Sequence, residues 1–490
     1  MTKKTWLPGS LSPFNVLGIL TGLSIMMRFF SFFPSVMDHD ESTYIVIADA
    51  LSEGQVYLRD VIDTKPIGIF VLFALFQALF GKSIIVIRII TALWIALTGW
   101  VLYLSHRQLA GSTAGTLSNS APLASGIIYV FSLSVFTFFG VSPNTEIFFA
   151  LFSATALLLV LRDEGLGWFL LAGLLLGAGF LIKPVVLFDA AAIGLFYLWQ
   201  EVTTGKKWTN WFARCALMAI GFLIPFTLLL MYYRHLGLQD TYLFYTFEVS
   251  KRYFANPPWY AYLGFVMEGL LRVLPVTIWF IYCSVHWRIT GLRLPLLSWV
   301  WGALVIFIIS LPGKGFAHYF IQMMLPLGLL AGSFFDSRRT PGPAFAWMRN
   351  PRIGYPLLAM GLLVNVALQY RDYISPPDYP KEIAAYLTTH LQPEDIIYTA
   401  NAAQIIYHLT GTKSPTPYVH PSLIWSDENN KALGIDREEE WNKILGQNPR
   451  FIVMKNNLSP SSLMKPVLET SYQQVMTFGK KLIVYERKEE

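Results

Sequence analysis

Cysteine is nearly absent. The chain has two in 490 residues, Cys215 and Cys283, both inside apolar runs. A disulfide framework is excluded, and cysteine usage gives no compartment for the polar tail, which has none. Charge is scarce too, at 14% of residues against about 25% in soluble domains. The scarcity is local. Residues 372–490 are about 23% charged, with 15 acidic and 12 basic side chains, whereas residues 1–371 are about 11% charged. A water-facing surface over those 371 residues is excluded, and so are a single soluble enzyme, a disordered chain and a fibre. The sequence also lacks a Walker A loop, a GxGxxG in strand context, HExxH, a CxxC cluster, internal repeats and low-complexity tracts. A soluble nucleotide site is therefore not expected.

What the chain has is apolar runs. A span needs about 20 predominantly apolar residues, and the pattern predicts eleven, near 12–33, 84–104, 121–140, 146–161, 167–182, 184–199, 211–231, 263–284, 294–311, 319–335 and 354–370. The first is read as a retained span, because no small-residue cleavage site precedes Met37-Asp38-His39-Asp40. Residues 67–80 are apolar but short. With that segment in the interface, Lys3, Lys4, Arg107, Arg162, Lys206, Lys207, Arg214, Arg288, Arg293, Arg338, Arg339, Arg349 and Arg352 share one side, the cytoplasm. Counting it as a span would put Lys3 and Lys4 opposite the rest. The expected fold class is a polytopic α-helical membrane protein of about 11 transmembrane helices, with interfacial helices in its first outer loop. Residues 1–371 form the membrane domain, and 372–490 a soluble extracytoplasmic α/β domain. In that tail helices are expected near 380–391, 401–410 and 437–446, and strands at DIIYTA, RFIVMK and KLIVYER.

Two long loops, 34–83 and 232–262, fall on the outer side. The first gathers Asp38, Asp40, Glu41, Asp60, Asp63 and Lys65. The spacing of Tyr44, Ile47 and Leu51 predicts an amphipathic surface helix over Glu41–Leu51. Asp40 and Glu41 at its start suit capping, and equally suit a general base or a cation site. Asp63-Thr64-Lys65-Pro66 reads as a helix entry with a snorkelling lysine, or as a cation held at headgroup level. Lys65, Lys251, Arg252 and Lys314 all depart from the positive-inside bias, and four cations around one face suggest an anion site. Glu146 opens the fourth span as a cap or a functional group. A turn accounts for Lys183-Pro184, and His318-Tyr319 reads as an interfacial pair.

These residues resemble a known family. Asp40-Glu41-Ser42-Thr43-Tyr44, Ala48, Leu51, Gly54, Tyr57, Asp60, Asp63-Thr64-Lys65-Pro66, Phe80-Gly81 and Arg88 are similar to the first outer loop of the C-superfamily glycosyltransferases. That superfamily includes protein mannosyltransferases and lipid A aminoarabinose transferases, which use polyprenyl-phosphate sugars. Asn144-Thr145-Glu146, Gly179, Lys183-Pro184, Lys314, His318-Tyr319 and Pro326 follow in order. The resemblance implies transfer of one sugar, with inversion, from an undecaprenyl-type phosphate donor to a protein, lipid or glycan acceptor outside a bacterial inner membrane. It implies Asp40 as catalytic carboxylate with Glu41 beside it, and Lys65, Arg252 and Lys314 on the donor phosphate. Glu146, Asp63 and His318 would orient the acceptor or a cation, and a divalent metal ion is left open as cofactor. In the family the acid often directly precedes lysine, whereas here Thr64 intervenes. The rival reading is a multi-span transporter or lipid flippase. Arg28 in the first span suits it, but no half-repeat does, and the notable charges cluster at one face. A third reading is a non-catalytic assembly partner that presents the tail, in which the first-loop acids are dispensable. No nucleic-acid partner is expected.

Overall fold

Apolar sequence of this density folds as helices, because in lipid every backbone N–H and C=O must find its partner within the chain. The computed structural model describes residues 11–110, 120–135, 141–162, 165–205, 208–252, 254–336, 343–455, 464–479 and 482–488. Lys3, Lys4, Lys206, Lys207, Arg338 and Arg339, invoked for orientation, lie outside the described residues. The chain forms two units. One takes the chain up to Phe32 with Arg88–Tyr232 and Phe254–Arg371; the other takes Phe33–Ile87, Tyr233–Tyr253 and Asp372–Glu490.

Seven helices among the described residues are long and apolar enough to cross a membrane, or eight if one bent pair counts as a span. The bent pair corrects an expectation. The run 263–284 is two helices, Trp259–Arg272 and Leu274–Val285, at 98° to one another. Pro275 sits in the first turn of the second helix, where it supplies no N–H and disfavours α-geometry at the residue before it. Three further expected spans coincide with Ser120–Leu133, Leu166–Ile182 and Val186–Thr203, of 14, 17 and 18 residues.

Helix packing here uses small residues, as it must where lipid competes with apolar side chains. A Cβ at Gly173 would collide with Met218 O, and one at Gly177 with Phe222 O, so Leu166–Ile182 and Trp208–His235 meet backbone to backbone. Buried polar groups are satisfied across helices. Arg28 donates to Leu133 O at 2.9 Å and to Val141 O. It thereby covers free carbonyls around the end of Ser120–Leu133, which gives it a structural use instead of a place on a transport path. Asp189 accepts from Ser153 Oγ at 2.6 Å, Trp301 Nε1 at 2.7 Å and Gln322 Nε2 at 2.8 Å.

The second unit contains a four-stranded sheet of order β1-β2-β4-β3, with β1 Ile397–Thr399, β2 Phe451–Lys455, β3 Tyr472–Phe478 and β4 Leu482–Arg487. β1 and β2 are parallel and the other pairings antiparallel. Phe451-Ile452-Val453-Met454 is buried throughout, as a strand covered on both faces requires. Phe451 and Val453 pack with Ile383, Leu387 and Ile406; Ile452 and Met454 pack with Trp441, Ile444 and Leu468. Helices Tyr379–His390 and Ile405–Thr410 thus cover one face, and Arg437–Gly446 and Met464–Ser471 the other.

The two loop segments fold onto this sheet domain. Helix His39–Ser52 packs against Gly68–Phe80 and against tail helix Ile405–Thr410. Glu41 to Ala48 are all buried. The amphipathic surface helix expected there is instead enclosed, because both faces have partners. Gly68–Phe80 buries Ile69, Phe70, Phe73, Phe76 and Gln77 and exposes Val71, Leu75, Leu79 and Phe80. At 13 residues it spans about 20 Å, short of a bilayer core.

Candidate active site

Asp38 caps helix His39–Ser52, accepting from Asp40 N at 3.3 Å. The acid expected to cap or catalyse at that helix start is thereby resolved into two tasks. Asp38 holds the backbone, while the Asp40 carboxyl in the first turn faces other partners. Burial, then the Asp40 charge, raises the Asp38 carboxyl to about 6.

Asp40 Oδ1 lies 2.8 Å from Lys65 Nζ and 3.4 Å from His420 Nε2. Burial alone would raise the Asp40 carboxyl; the Lys65 ammonium and the His420 ring outweigh it and hold it well below the usual carboxylate range. Burial likewise opposes the Lys65 charge, but Asp40 and then Asp63 keep that ammonium well above the usual lysine value. The Asp63 carboxylate is buried, accepts from Lys65 N at 3.0 Å and lies 3.6 Å from Lys65 Nζ. Tyr57 fixes the backbone here, its hydroxyl donating to Asp63 O at 2.8 Å and to Lys65 O. The Lys65 ammonium also lies 5.4 Å from the centre of the Tyr44 ring. A small pocket lies beside it, lined by Tyr57, Leu58, Pro66, Tyr242, Tyr245 and Thr246.

Of the other expected residues, Glu41 is buried in the same helical turn. Arg252 lies over the Phe244 ring at 4.9 Å and donates to Ala432 O at 3.4 Å, near the end of helix Asp427–Leu433. Glu146, Lys183, Lys314 and His318 belong to the first unit. Glu146 is buried at the start of Thr145–Arg162, pairs with Lys183 and accepts from Thr145 Oγ1 at 2.9 Å. Lys183 is therefore a partner of Glu146, not merely a snorkelling turn residue, and its ammonium stands 4.3 Å from the Tyr319 ring centre. Lys314 is partly buried beside Gly313, whose φ of +66° suits glycine alone at that turn. His318 packs 4.8 Å from Tyr319 and 5.6 Å from Phe316 between ring centres.

Comparison with known proteins bears on the fold. The family model for dolichyl-phosphate-mannose-protein mannosyltransferases matches residues 64–204, and that for the competence-induced Ccs4 C-terminal domain matches residues 380–488. The undecaprenyl phosphate-alpha-4-amino-4-deoxy-L-arabinose arabinosyl transferase of Pseudomonas aeruginosa is 27% identical over 335 residues, 64% of this chain and 57% of the relative. The chain thus matches little more than half of that relative's length. ArnT from Cupriavidus metallidurans bound to undecaprenyl phosphate superposes with a TM-score of 0.68 at 17% identity, over 96% of this chain and 97% of that one. The chain shares its fold with that glycosyltransferase-family neighbour, ArnT, along nearly its whole length. The Archaeoglobus fulgidus oligosaccharyltransferase in complex with Zn and sulfate gives a TM-score of 0.51 at 14% identity, over 89% of this chain and 67% of that one.

The metal left open by that resemblance does not fit the site. Lys65 Nζ reaches both Asp40 Oδ1 and Asp63 Oδ1, so an ammonium already occupies the space those carboxylates share. Among the described residues no group of three His, Cys, Asp or Glu side chains is arranged to hold a metal ion.

His420 was not foreseen. It lies in the tail, 380 residues from Asp40, and no local pattern marks a lone histidine in Tyr418-Val419-His420-Pro421. Asp189 was also missed, because a single acid in an otherwise apolar run does not interrupt the pattern of a span.

Proposed function

We propose that the chain transfers a single sugar from a polyprenyl monophosphate to an acceptor at the outer face of a bacterial inner membrane, with inversion. The observation that carries this reading is the Asp40–Lys65 pair beside a small pocket: a carboxylate and a phosphate-seeking cation in contact. Asp40 takes the proton of an acceptor hydroxyl as the acceptor oxygen bonds to the anomeric carbon. The bond from that carbon to the phosphate oxygen breaks on the opposite face, and the polyprenyl phosphate leaves carrying the electron pair. Lys65 stabilises the charge that develops there. Engaging the phosphate draws the ammonium away from Asp40, which raises the basicity of the carboxylate when a base is needed.

Arg252 and Lys314 are the further candidates for the phosphate, and Glu41, Glu146, Asp63 and His318 for orienting the acceptor. The likeness to ArnT bound to undecaprenyl phosphate and to the mannosyltransferase family model supports an undecaprenyl-type donor. Residues 372–490 are assigned to the extracytoplasmic side, with the N-terminus cytoplasmic. The transport alternative drew on Arg28, whose guanidinium is engaged with helix-end carbonyls.

The test is transfer in detergent. Purified wild type and Asp40→Asn are incubated with a panel of polyprenyl-phosphate sugars and acceptors, and released polyprenyl phosphate is followed. Turnover by wild type alone supports the reading. Equal release by both removes Asp40 from the chemistry.

A further inference from the structure

Asp40 Oδ1 receives both contacts made to this carboxylate, from Lys65 and from His420. The side chain is about one-fifth exposed, and among the described residues Oδ2 makes no hydrogen bond. The two oxygens are thereby distinguished: the recorded side-chain contacts fall on Oδ1.

The His420 ring has its own support. Ser422 N donates to His420 Nδ1 at 3.1 Å, so Nδ1 is an acceptor and the ring proton is on Nε2, facing Asp40. Ser422 Oγ lies 2.8 Å from the same nitrogen, and Asn429 Nδ2 donates to Ser422 Oγ at 3.0 Å. Asn429 thus supports Ser422, and Ser422 in turn supports the His420 ring, whose Nε2 stands 3.4 Å from Asp40 Oδ1. Asn429 is buried within Asp427–Leu433, and its amide also donates to Ser422 O at 3.0 Å. The edge of the ring is packed at 6.2 Å between centres by His39, whose Nδ1 is 3.3 Å from Gln404 Oε1. Gln404 Nε2 in turn donates to His39 O at 2.7 Å. Nearby, Ile62 N donates to Pro417 O at 2.7 Å, which ties the segment leading to His420 onto the first loop.

We infer that His420 is a positioning residue for sugar transfer: the tail domain supplies the Nε2–H that fixes Asp40 Oδ1 and so presents Oδ2 to the acceptor hydroxyl. This rests on the reading of Asp40 as the proton acceptor. It gives the tail a direct part in the reaction, beyond acceptor binding or lid. When the donor phosphate draws Lys65 off, His420 is the contact that still holds the carboxylate in register. Loss of it releases a rotation about the Asp40 side chain at the moment of proton transfer, and misplacement on that scale costs up to about 100-fold in rate.

Two variants separate the donated proton from bulk. His420→Gln retains an N–H at similar reach, and His420→Met fills the space without one. In the full chain with a donor that wild type turns over, His420→Met is expected to lower kcat about 10–100-fold, with donor KM within about threefold of wild type. His420→Gln is expected to recover most of the loss. Equal losses in both variants, or a loss confined to KM, overturn the inference.

A second readout does not depend on turnover. The chain has 8 histidines, so the His420 ring nitrogens are assignable in a nitrogen-15 spectrum as the signals His420→Gln removes. They are expected to show protonated Nε2 and bare Nδ1, and to move in Asp40→Asn. The opposite tautomer, or signals indifferent to Asp40→Asn, overturns the placement. If wild type transfers no sugar in the panel, the transferase reading falls, and the nitrogen spectra alone then decide whether His420 holds Asp40.

Discussion

Lys65 Nζ stands 2.8 Å from Asp40 Oδ1, and each side chain keeps about one-fifth of its surface exposed. The pair is close enough for each charge to sustain the other, and open enough for a phosphate to compete for the lysine. Removing either member therefore has a distinct signature. Asp40→Asn is expected to reduce turnover by about 10²–10⁴-fold while undecaprenyl phosphate still binds. Lys65→Ala is expected to raise donor KM and lower kcat together, because the ammonium meets the phosphate in ground and transition states alike. Steady-state kinetics with parallel binding of undecaprenyl phosphate checks both.

Asp38 gives a prediction in pH. Its carboxyl is raised from the ordinary value near 3.8 to about 6, so between those values the folded chain holds a proton the unfolded chain has lost. Stability therefore falls as pH rises through that window, and the penalty is complete above about 6. Asn caps helices as well as Asp does and carries no charge. Asp38→Asn is expected to stabilise the protein at pH 7 by an amount on the order of 1 kcal/mol, the gain vanishing below pH 4. Thermal unfolding in detergent across that range reads the difference. A gain independent of pH would mean that the Asp38 charge carries no cost.

The reach of the sequence follows from how far apart in the chain interacting residues lie. Asp40 and Lys65 are 25 residues apart, and that they share one charged loop between apolar runs was readable from charge and periodicity. Phe451–Lys455 and Leu482–Arg487 were readable as strands because burial demands continuous apolar sequence. Tyr472–Phe478 was not. It is an edge strand in which Gln473, Gln474, Met476 and Thr477 are exposed, so the continuous apolar signal is absent there. His420 meets Asp40 only because the tail folds back onto the first loop, through pairings such as Ile62 with Pro417 that no local pattern encodes. The bend at Val273 was missed for another reason: hydropathy averaged across 263–284 does not register one proline in a helix's first turn.

Asp189 is expected to be a structural node. Its carboxyl accepts from three donors on three helices, Ser153, Trp301 and Gln322. Asp189→Asn preserves an accepting oxygen, and its amide can donate to the serine hydroxyl. Asp189→Leu leaves three buried donors without a partner, at about 1–3 kcal/mol each before relaxation. The expected order of thermal stability in detergent is wild type, then Asn, then Leu well below. A leucine variant as stable as wild type would show that the three donors find other acceptors.

Glu146 and Lys183 allow packing to be separated from chemistry. Glu146 is buried, Lys183 is about one-fifth exposed, and the two are in contact. Lys183→Met strands a carboxylate that, among the described residues, keeps the Thr145 hydroxyl as its other side-chain donor, and is expected to destabilise the protein by about 3–5 kcal/mol. Adding Glu146→Gln removes the stranded charge, so the double variant should recover most of that stability. Turnover then decides the role. A double variant that is stable and active makes the pair a cap on helix Thr145–Arg162 and nothing more. One that is stable but slow, with its loss in acceptor KM, assigns the Glu146 carboxylate to the acceptor, because folding has been held constant while the charge was removed.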